Sequence, residues 1–130
     1  TESRAFGNQE AVTAALAGVA HRHDLDFRLF DGTAESMRAT IRHFGAAKLV
    51  VGVHGAGLAN TLFCAPGTAV LELALPEPEF GEYAALAALV GLTYARVDLP
   101  HSSFEARAWP RPGTLASAAD RLLLRAADVR

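Results

Sequence analysis

Apolar and polar positions along the chain follow two periods, one typical of helices and one typical of strands. Apolar residues spaced three or four apart predict helices over residues 8–20, 34–45, 80–90 and 114–128. Alternating or continuous apolar runs predict strands over residues 25–30, 48–53, 69–75 and 93–99. Because strands and helices take turns along the chain, the pattern predicts an α/β fold with a parallel sheet flanked by helices.

The ends of these elements carry their own signals. Asn8 is the predicted N-cap of the first helix, and Thr33 that of the helix over 34–45. Residues 100–113 hold three of the six prolines and are predicted to be a loop. The apolar face of the second helix is expected to consist of Met37, Ile41 and Phe44.

Composition narrows the class of protein. The 130 residues are enough for one domain, and a net charge of −2 argues against a nucleic-acid binder, which needs a basic excess. No apolar run reaches the length of a membrane span. The single cysteine, Cys64, excludes an internal disulfide and a cysteine-based zinc site, and we expect it to be a buried thiol. Since the chain begins with Thr1 and has no signal-peptide pattern, we expect it to be processed or cut from something longer.

The stretch from residue 50 to residue 73 is the most informative. A buried strand, which we expect to be covered on both faces and central in the sheet, ends at His54. Gly55-Ala56-Gly57 follows, and a helix is predicted to start at Leu58. Ligands of open parallel sheets bind beyond the carboxyl ends of strands, and free N–H groups at a helix start suit a phosphate. The other interpretation is a tight strand-to-helix connection without a ligand.

Glu72 is a charged residue inside a buried apolar strand, between Leu71 and Leu73. A carboxylate there is costly unless it is paired or lies at a ligand. We expect it to share a sheet face with Val70, opposite the two leucines, near the turn at residues 55–57. In nucleotide-binding sheets such a carboxylate holds ribose hydroxyls. The alternative is a structural ion pair with Arg96.

Several phosphate and metal motifs are excluded. The third glycine of a dinucleotide fingerprint is replaced by Asn60, and no Gly-Lys-Ser/Thr sequence occurs. The one Asp-x-Asp sequence, Asp24-Leu25-Asp26, precedes a predicted strand instead of following one. No metal site and no cofactor are therefore expected.

The central block resembles the signature of family 61 glycosyltransferases, which include plant xylosyl- and arabinosyltransferases and animal N-acetylglucosaminyltransferases. The resemblance spans about residues 4–98. It is carried by His54-Gly55-Ala56-Gly57-Leu58, Asn60, Leu62-Phe63, Pro66-Gly67 and Glu72-Leu73, with Arg4 and Asn8 upstream and Gly91-Leu92 and Tyr94 downstream.

The resemblance implies the C-terminal, Rossmann-like half of a GT-B enzyme that faces a missing acceptor-binding domain. It implies an inverting, metal-independent transfer from a UDP-sugar to a glycan or protein hydroxyl, in the secretory pathway (Golgi or endoplasmic reticulum), in a protein with a membrane anchor outside this segment. His54 is the candidate catalytic residue, either as a base or as a charge partner of the diphosphate. The residues expected to bind the nucleotide sugar are Arg4, Asn8, His54, Gly55, Ala56, Gly57, Leu58, Asn60 and Glu72.

Two other functions fit the same pattern. A non-catalytic Rossmann-like binding module would keep the fold but not the donor site. A different α/β enzyme would bind phosphorylated substrates without a preference for uridine, because such sheets support many chemistries.

Overall fold

Three parallel strands form the sheet at the centre of the molecule. In the computed structural model, which describes residues 9–74, 81–99 and 111–129, the strands are β1 (Leu49–Val53), β2 (Ala69–Ala74) and β3 (Thr93–Asp98), in the order β1-β2-β3. The helices are α1 (Gln9–Arg22), α2 (Met37–Ala46), α3 (Glu82–Val90) and α4 (Pro112–Val129), with a 3₁₀ helix over Ala56–Phe63. The predicted α/β fold with a parallel sheet is confirmed.

The sheet has helices on both faces. Leu71 and Leu73 of β2 join one apolar core with Val12 and Val19 of α1 and Leu122 of α4. The opposite face of the sheet lies against the 3₁₀ helix and α3, which also contact each other. Because side chains alternate along a strand, Val70 and Glu72 point away from the α1–α4 core, as the sequence predicts.

Two glycines adopt a left-handed backbone conformation a few residues before a strand. Gly91 has a φ of 84° and ends α3, where its N–H donates to the carbonyl oxygen of Ala87. Gly67 has a φ of 89° in the turn after the 3₁₀ helix. Both conformations lie in the left-handed region, which glycine adopts without steric cost.

The prediction that β1 is the central strand, covered on both faces, is wrong. β2 is central in the described sheet and all six of its residues are buried, whereas all five residues of β1 are half-buried. Among the described residues β1 pairs along one edge only, in register from Leu49 opposite Ala69 to Val53 opposite Leu73. An apolar run therefore does not distinguish an edge strand from a central one, because the number of strands that pair with it depends on the whole sheet.

The strand predicted over residues 25–30 does not form. The segment has no regular secondary structure and pairs with no strand of the described residues. Its alternating apolar residues do not share a covered face: Leu25 packs on the core, whereas Leu29 is 63% exposed. Phe30 instead packs edge-on against Phe44 of α2, with ring centroids 5.0 Å apart.

The second helix differs from its prediction at its start and on its face. Ser36, not Thr33, is the N-cap, and its hydroxyl accepts from the N–H of Ala39 at 3.1 Å. Thr33 belongs to the preceding turn, where both its N–H and its hydroxyl donate to Asp31. Of the three residues on the predicted apolar face, only Phe44 is buried; Met37 and Ile41 are exposed.

Two predicted features lie wholly or partly outside the described residues. The N-cap Asn8 is one of them. The loop predicted over 100–113 is described only from residue 111, and Pro112 and Gly113 already belong to α4. That helix is otherwise the amphipathic one predicted, with Leu115, Leu122 and Leu123 buried.

Candidate active site

His54 lies at the carboxyl end of β1 and continues its ladder. Its backbone N–H donates to the carbonyl oxygen of Leu73 at 2.9 Å, as the next residue of a parallel strand would. The residue is only 6% exposed. The strand pairing therefore fixes the backbone from which the imidazole projects.

Glu72 holds the Nδ1 side of that imidazole. Its Oε2 lies 2.5 Å from Nδ1 of His54, and its Oε1 accepts a hydrogen bond from the hydroxyl of Tyr94 on β3. The side chain of Glu72 is fully buried. A buried carboxylate is tolerated only with such partners, and here each of its two oxygens has one.

The pKa of Tyr94 is raised above its ordinary value. Burial is the main cause, and the hydrogen bond to Glu72 and the negative charge of that residue act in the same direction. Tyr94 therefore remains a phenol at neutral pH and donates to the carboxylate. An ionised carboxylate only accepts hydrogen bonds, so a hydrogen bond between ionised Glu72 and His54 requires the proton of the imidazole on Nδ1.

The other ring nitrogen of His54 faces the start of α3. Nε2 lies 3.4 Å from Oε1 of Glu82, whose side chain is 55% exposed. The ring of Tyr83 meets the imidazole edge-on, with centroids 5.0 Å apart. The imidazole is thus held on its inner side by a buried carboxylate and bordered on its outer side by a more exposed one.

The glycine turn (residues 55–57) leads into a 3₁₀ helix that starts two residues before the helix start predicted at Leu58. The helix begins at Ala56, and the N–H of Leu58 donates to the carbonyl oxygen of Gly55 at 3.0 Å. The N–H of Leu58 closes the first turn of this helix, and the binding of the nucleotide sugar at Leu58 stays a prediction. The N–H groups of Ala56 and Gly57 precede this first bond of the helix.

The glycine turn has an open side. Gly57 is exposed, and a Cβ added to it would meet no described atom within 4 Å. Asn60 donates from its side chain to the carbonyl oxygen of Gly57 at 3.1 Å, which braces the turn from within the 3₁₀ helix. A small ligand can approach the backbone here without displacing any described side chain.

The structure brings some predicted site residues together and describes others not at all. His54, the glycine turn and Asn60 are neighbours along one stretch, and Glu72 joins them through His54. Arg4 and Asn8 lie outside the described residues. The contact between Glu72 and a ribose stays a prediction, and a ribose hydroxyl could reach this fully buried carboxylate only if neighbouring groups moved.

The alternative of an ion pair between Glu72 and Arg96 is not observed. The two residues are in register on β2 and β3, but the Arg96 side chain bonds Asp98 at 2.8 Å. Sequence reasoning assigned no role to Tyr94, although a signal existed. In a parallel sheet a tyrosine at that position shares a face with Glu72, since Tyr94 pairs with Val70.

The described residues contain no group of three or more His, Cys, Asp or Glu side chains placed to hold a metal ion. Within residues 9–74, 81–99 and 111–129, no helix combines the length and apolar character that a membrane crossing requires.

A parallel sheet with helices on both faces and a site at its carboxyl edge define a Rossmann-like α/β domain. The family model "Glycosyltransferase 61" matches residues 1–71, more than half of the chain, and the chain belongs to this family of glycosyltransferases. A comparison with curated proteins finds no match. The family match ends one residue before Glu72, so the contacts of Glu72 and Tyr94 rest on the structure alone.

Proposed function

We propose that this glycosyltransferase domain binds a UDP-sugar and transfers the sugar, with inversion and without a metal ion, to a hydroxyl of a glycan or protein. The observation that carries the proposal is the contact between Glu72 and His54 beside the open glycine turn. A carboxylate that orients an imidazole is a recurring arrangement in general-base catalysis.

His54 is the proposed base. With the Nδ1 proton held by Glu72, Nε2 is the atom that can take the proton of the acceptor hydroxyl. The acceptor oxygen then attacks the anomeric carbon of the donor as the bond from that carbon to the diphosphate breaks. The buried Glu72 carboxylate stabilises the imidazolium that forms, because opposite charges attract strongly where water is excluded.

The leaving diphosphate gains negative charge during this step and needs donors. The N–H groups of Ala56 and Gly57 are the proposed donors, since both precede the first hydrogen bond of the 3₁₀ helix. Arg4, outside the described residues, is the proposed positive charge. This part of the proposal follows the family resemblance together with the open side of Gly57.

The architecture of the whole enzyme and its location in the cell are also part of the proposal. By resemblance to its family, the domain is the C-terminal half of a GT-B enzyme of the secretory pathway and works with an acceptor-binding domain. The uridine preference has the same basis.

Titration of UDP into the chain, followed by calorimetry or by NMR chemical shifts, tests the proposal. We expect saturable binding in the millimolar range or tighter, on the order of 4 kcal/mol or more. G57W fills the open side of the glycine turn and is expected to lower the affinity at least about tenfold. G113W is the matched control, because Gly113 also meets no described atom but lies on α4.

Three results would contradict parts of the proposal. A folded chain that does not bind UDP would favour the non-catalytic module. Equal affinity for UDP and inorganic diphosphate would favour an enzyme of phosphorylated substrates without uridine recognition. Equal losses in G57W and G113W would place the ligand away from the glycine turn.

A further inference from the structure

Three side chains, one from each strand, form a line across the sheet. His54 follows β1, Glu72 lies on β2, and Tyr94 lies on β3. The register places Glu72 opposite Gly52, two residues before His54, and places Tyr94 opposite Val70. All three therefore project from the same face of the sheet, because side chains alternate with a period of two.

Hydrogen bonds connect the three side chains in series, with Glu72 in the middle. The Tyr94 hydroxyl donates to Oε1 of Glu72, and Oε2 of Glu72 faces Nδ1 of His54. Glu72 is fully buried, so the carboxylate has no solvent to replace a lost donor. Its orientation depends on both partners, and only one of them, His54, reaches the glycine turn.

The backbone of Tyr94 is held independently of its hydroxyl. Tyr94 lies within the paired stretch of β3, and Arg125 of α4 donates to its carbonyl oxygen at 2.6 Å. Loss of the hydroxyl alone should therefore leave the strand in place. This separates the effect of the phenol from that of the strand.

We propose that Tyr94 is a positioning residue: it orients the Glu72 carboxylate so that His54 keeps its proton on Nδ1 and its Nε2 on the side of Glu82. The expected effect of Tyr94 on catalysis rests on the proposed function of His54. Its expected effect on the Nδ1 proton of His54 does not. Tyr94 itself touches neither the donor nor the acceptor in this proposal.

NMR of the ¹⁵N-labelled chain tests the proposal directly. Long-range ¹H–¹⁵N spectra distinguish the two neutral forms of an imidazole. We expect wild-type His54 to show the proton on Nδ1 with a strongly downfield proton signal. In Y94F the signal should move upfield and the second tautomer should appear, and in E72Q the Nδ1 proton should lose its downfield position.

R125Q is the matched control, since it removes the contact to the Tyr94 backbone and spares the hydroxyl. We expect its His54 spectrum to match that of the wild type. A Y94F spectrum identical to the wild type, or an R125Q spectrum that changes as much as that of Y94F, would overturn the proposal. The wild-type spectrum is a test in itself, because a proton on Nε2 alone overturns the proposal even if the variants do not fold.

A kinetic measurement on the whole protein separates this inference from the proposed function. For a positioning role we expect Y94F to lower kcat about tenfold and to leave the KM for the donor nearly unchanged. If the Y94F spectrum changes as expected while kcat does not, Tyr94 positions His54 but His54 is not the base. In that case the assignment of His54 as the base fails and the positioning role stands.

Discussion

Gly52 of β1 lies directly beneath the side chain of Leu58 on the 3₁₀ helix. A Cβ built on Gly52 would lie 2.9 Å from Cδ2 and 3.3 Å from Cγ of Leu58. Leu58 is 4% exposed and has little room to retreat. The absence of a side chain at Gly52 thus sets how closely the 3₁₀ helix, and with it the glycine turn, approaches the sheet.

G52A is therefore expected to displace Leu58 and to lower the free energy of unfolding by about 1–3 kcal/mol, the usual cost of overpacking a core. Urea denaturation followed by circular dichroism measures the change. G113A is the control: Gly113 lies on α4 with no described atom near its Cβ position, so alanine there should be neutral or slightly stabilising. Equal stability of G52A and the wild type would show that Leu58 is not held against the strand.

The role of His54 as a base predicts a large loss of rate when its imidazole is removed. H54A is expected to lower kcat of the whole protein about 100-fold or more and to bind UDP with nearly unchanged affinity. A loss of UDP affinity with little change in kcat would assign His54 to binding of the diphosphate instead.

Asp120 of α4 joins this helix to the end of α1. Its carboxylate accepts from Arg22 at 2.8 Å and contacts Nε2 of His23 at 2.9 Å. Burial on its own raises the pKa of Asp120, but the hydrogen bonds from Arg22 and His23 outweigh this and hold the pKa below its ordinary value of 3.8. The ionised carboxylate thus stabilises the fold above pH 3.8, and this contribution is lost as pH falls through the lower folded pKa.

We therefore expect D120N to be about 0.5–1 kcal/mol less stable than the wild type at pH 7, the range of a partly exposed ion pair. The difference should shrink below about pH 4 and vanish in stronger acid. Urea denaturation across this range measures it, and R22M together with the double variant isolates the pair. A D120N deficit that persists unchanged at pH 2 would rule out the ion pairs as its source.

Cys64 is predicted to be a slow nucleophile. The thiol is 5% exposed, and burial raises its pKa from 9.0 to about 11. At pH 8 this lowers the thiolate fraction about a hundredfold, and only the thiolate reacts. Iodoacetamide should therefore alkylate the native chain at least about a hundredfold more slowly than the chain in denaturant, as followed by mass spectrometry. Similar rates in the two states would mean that the end of the 3₁₀ helix opens readily.

The candidate site was predictable in part. A strand end, a glycine turn and a helix start identify a ligand position from local sequence, and the charge of Glu72 in an apolar run requires a partner whatever the fold. The sequence around Glu72 does not show which partner this residue takes. His54 lies 18 residues from Glu72 and Tyr94 lies 22 residues from it, and only the strand register brings both to one carboxylate.

Local periodicity also determined the parallel α/β class, because buried strands that alternate with helices have few other ways to cover their apolar faces. The periodicity predicted a strand over residues 25–30, which does not form. It also predicted a central position for β1, which lies at the edge of the described sheet. A strand exists only when its backbone hydrogen bonds find a partner, and that partner lies elsewhere in the chain. Tertiary structure therefore decided which runs joined the sheet, in which order, and which side chains meet His54.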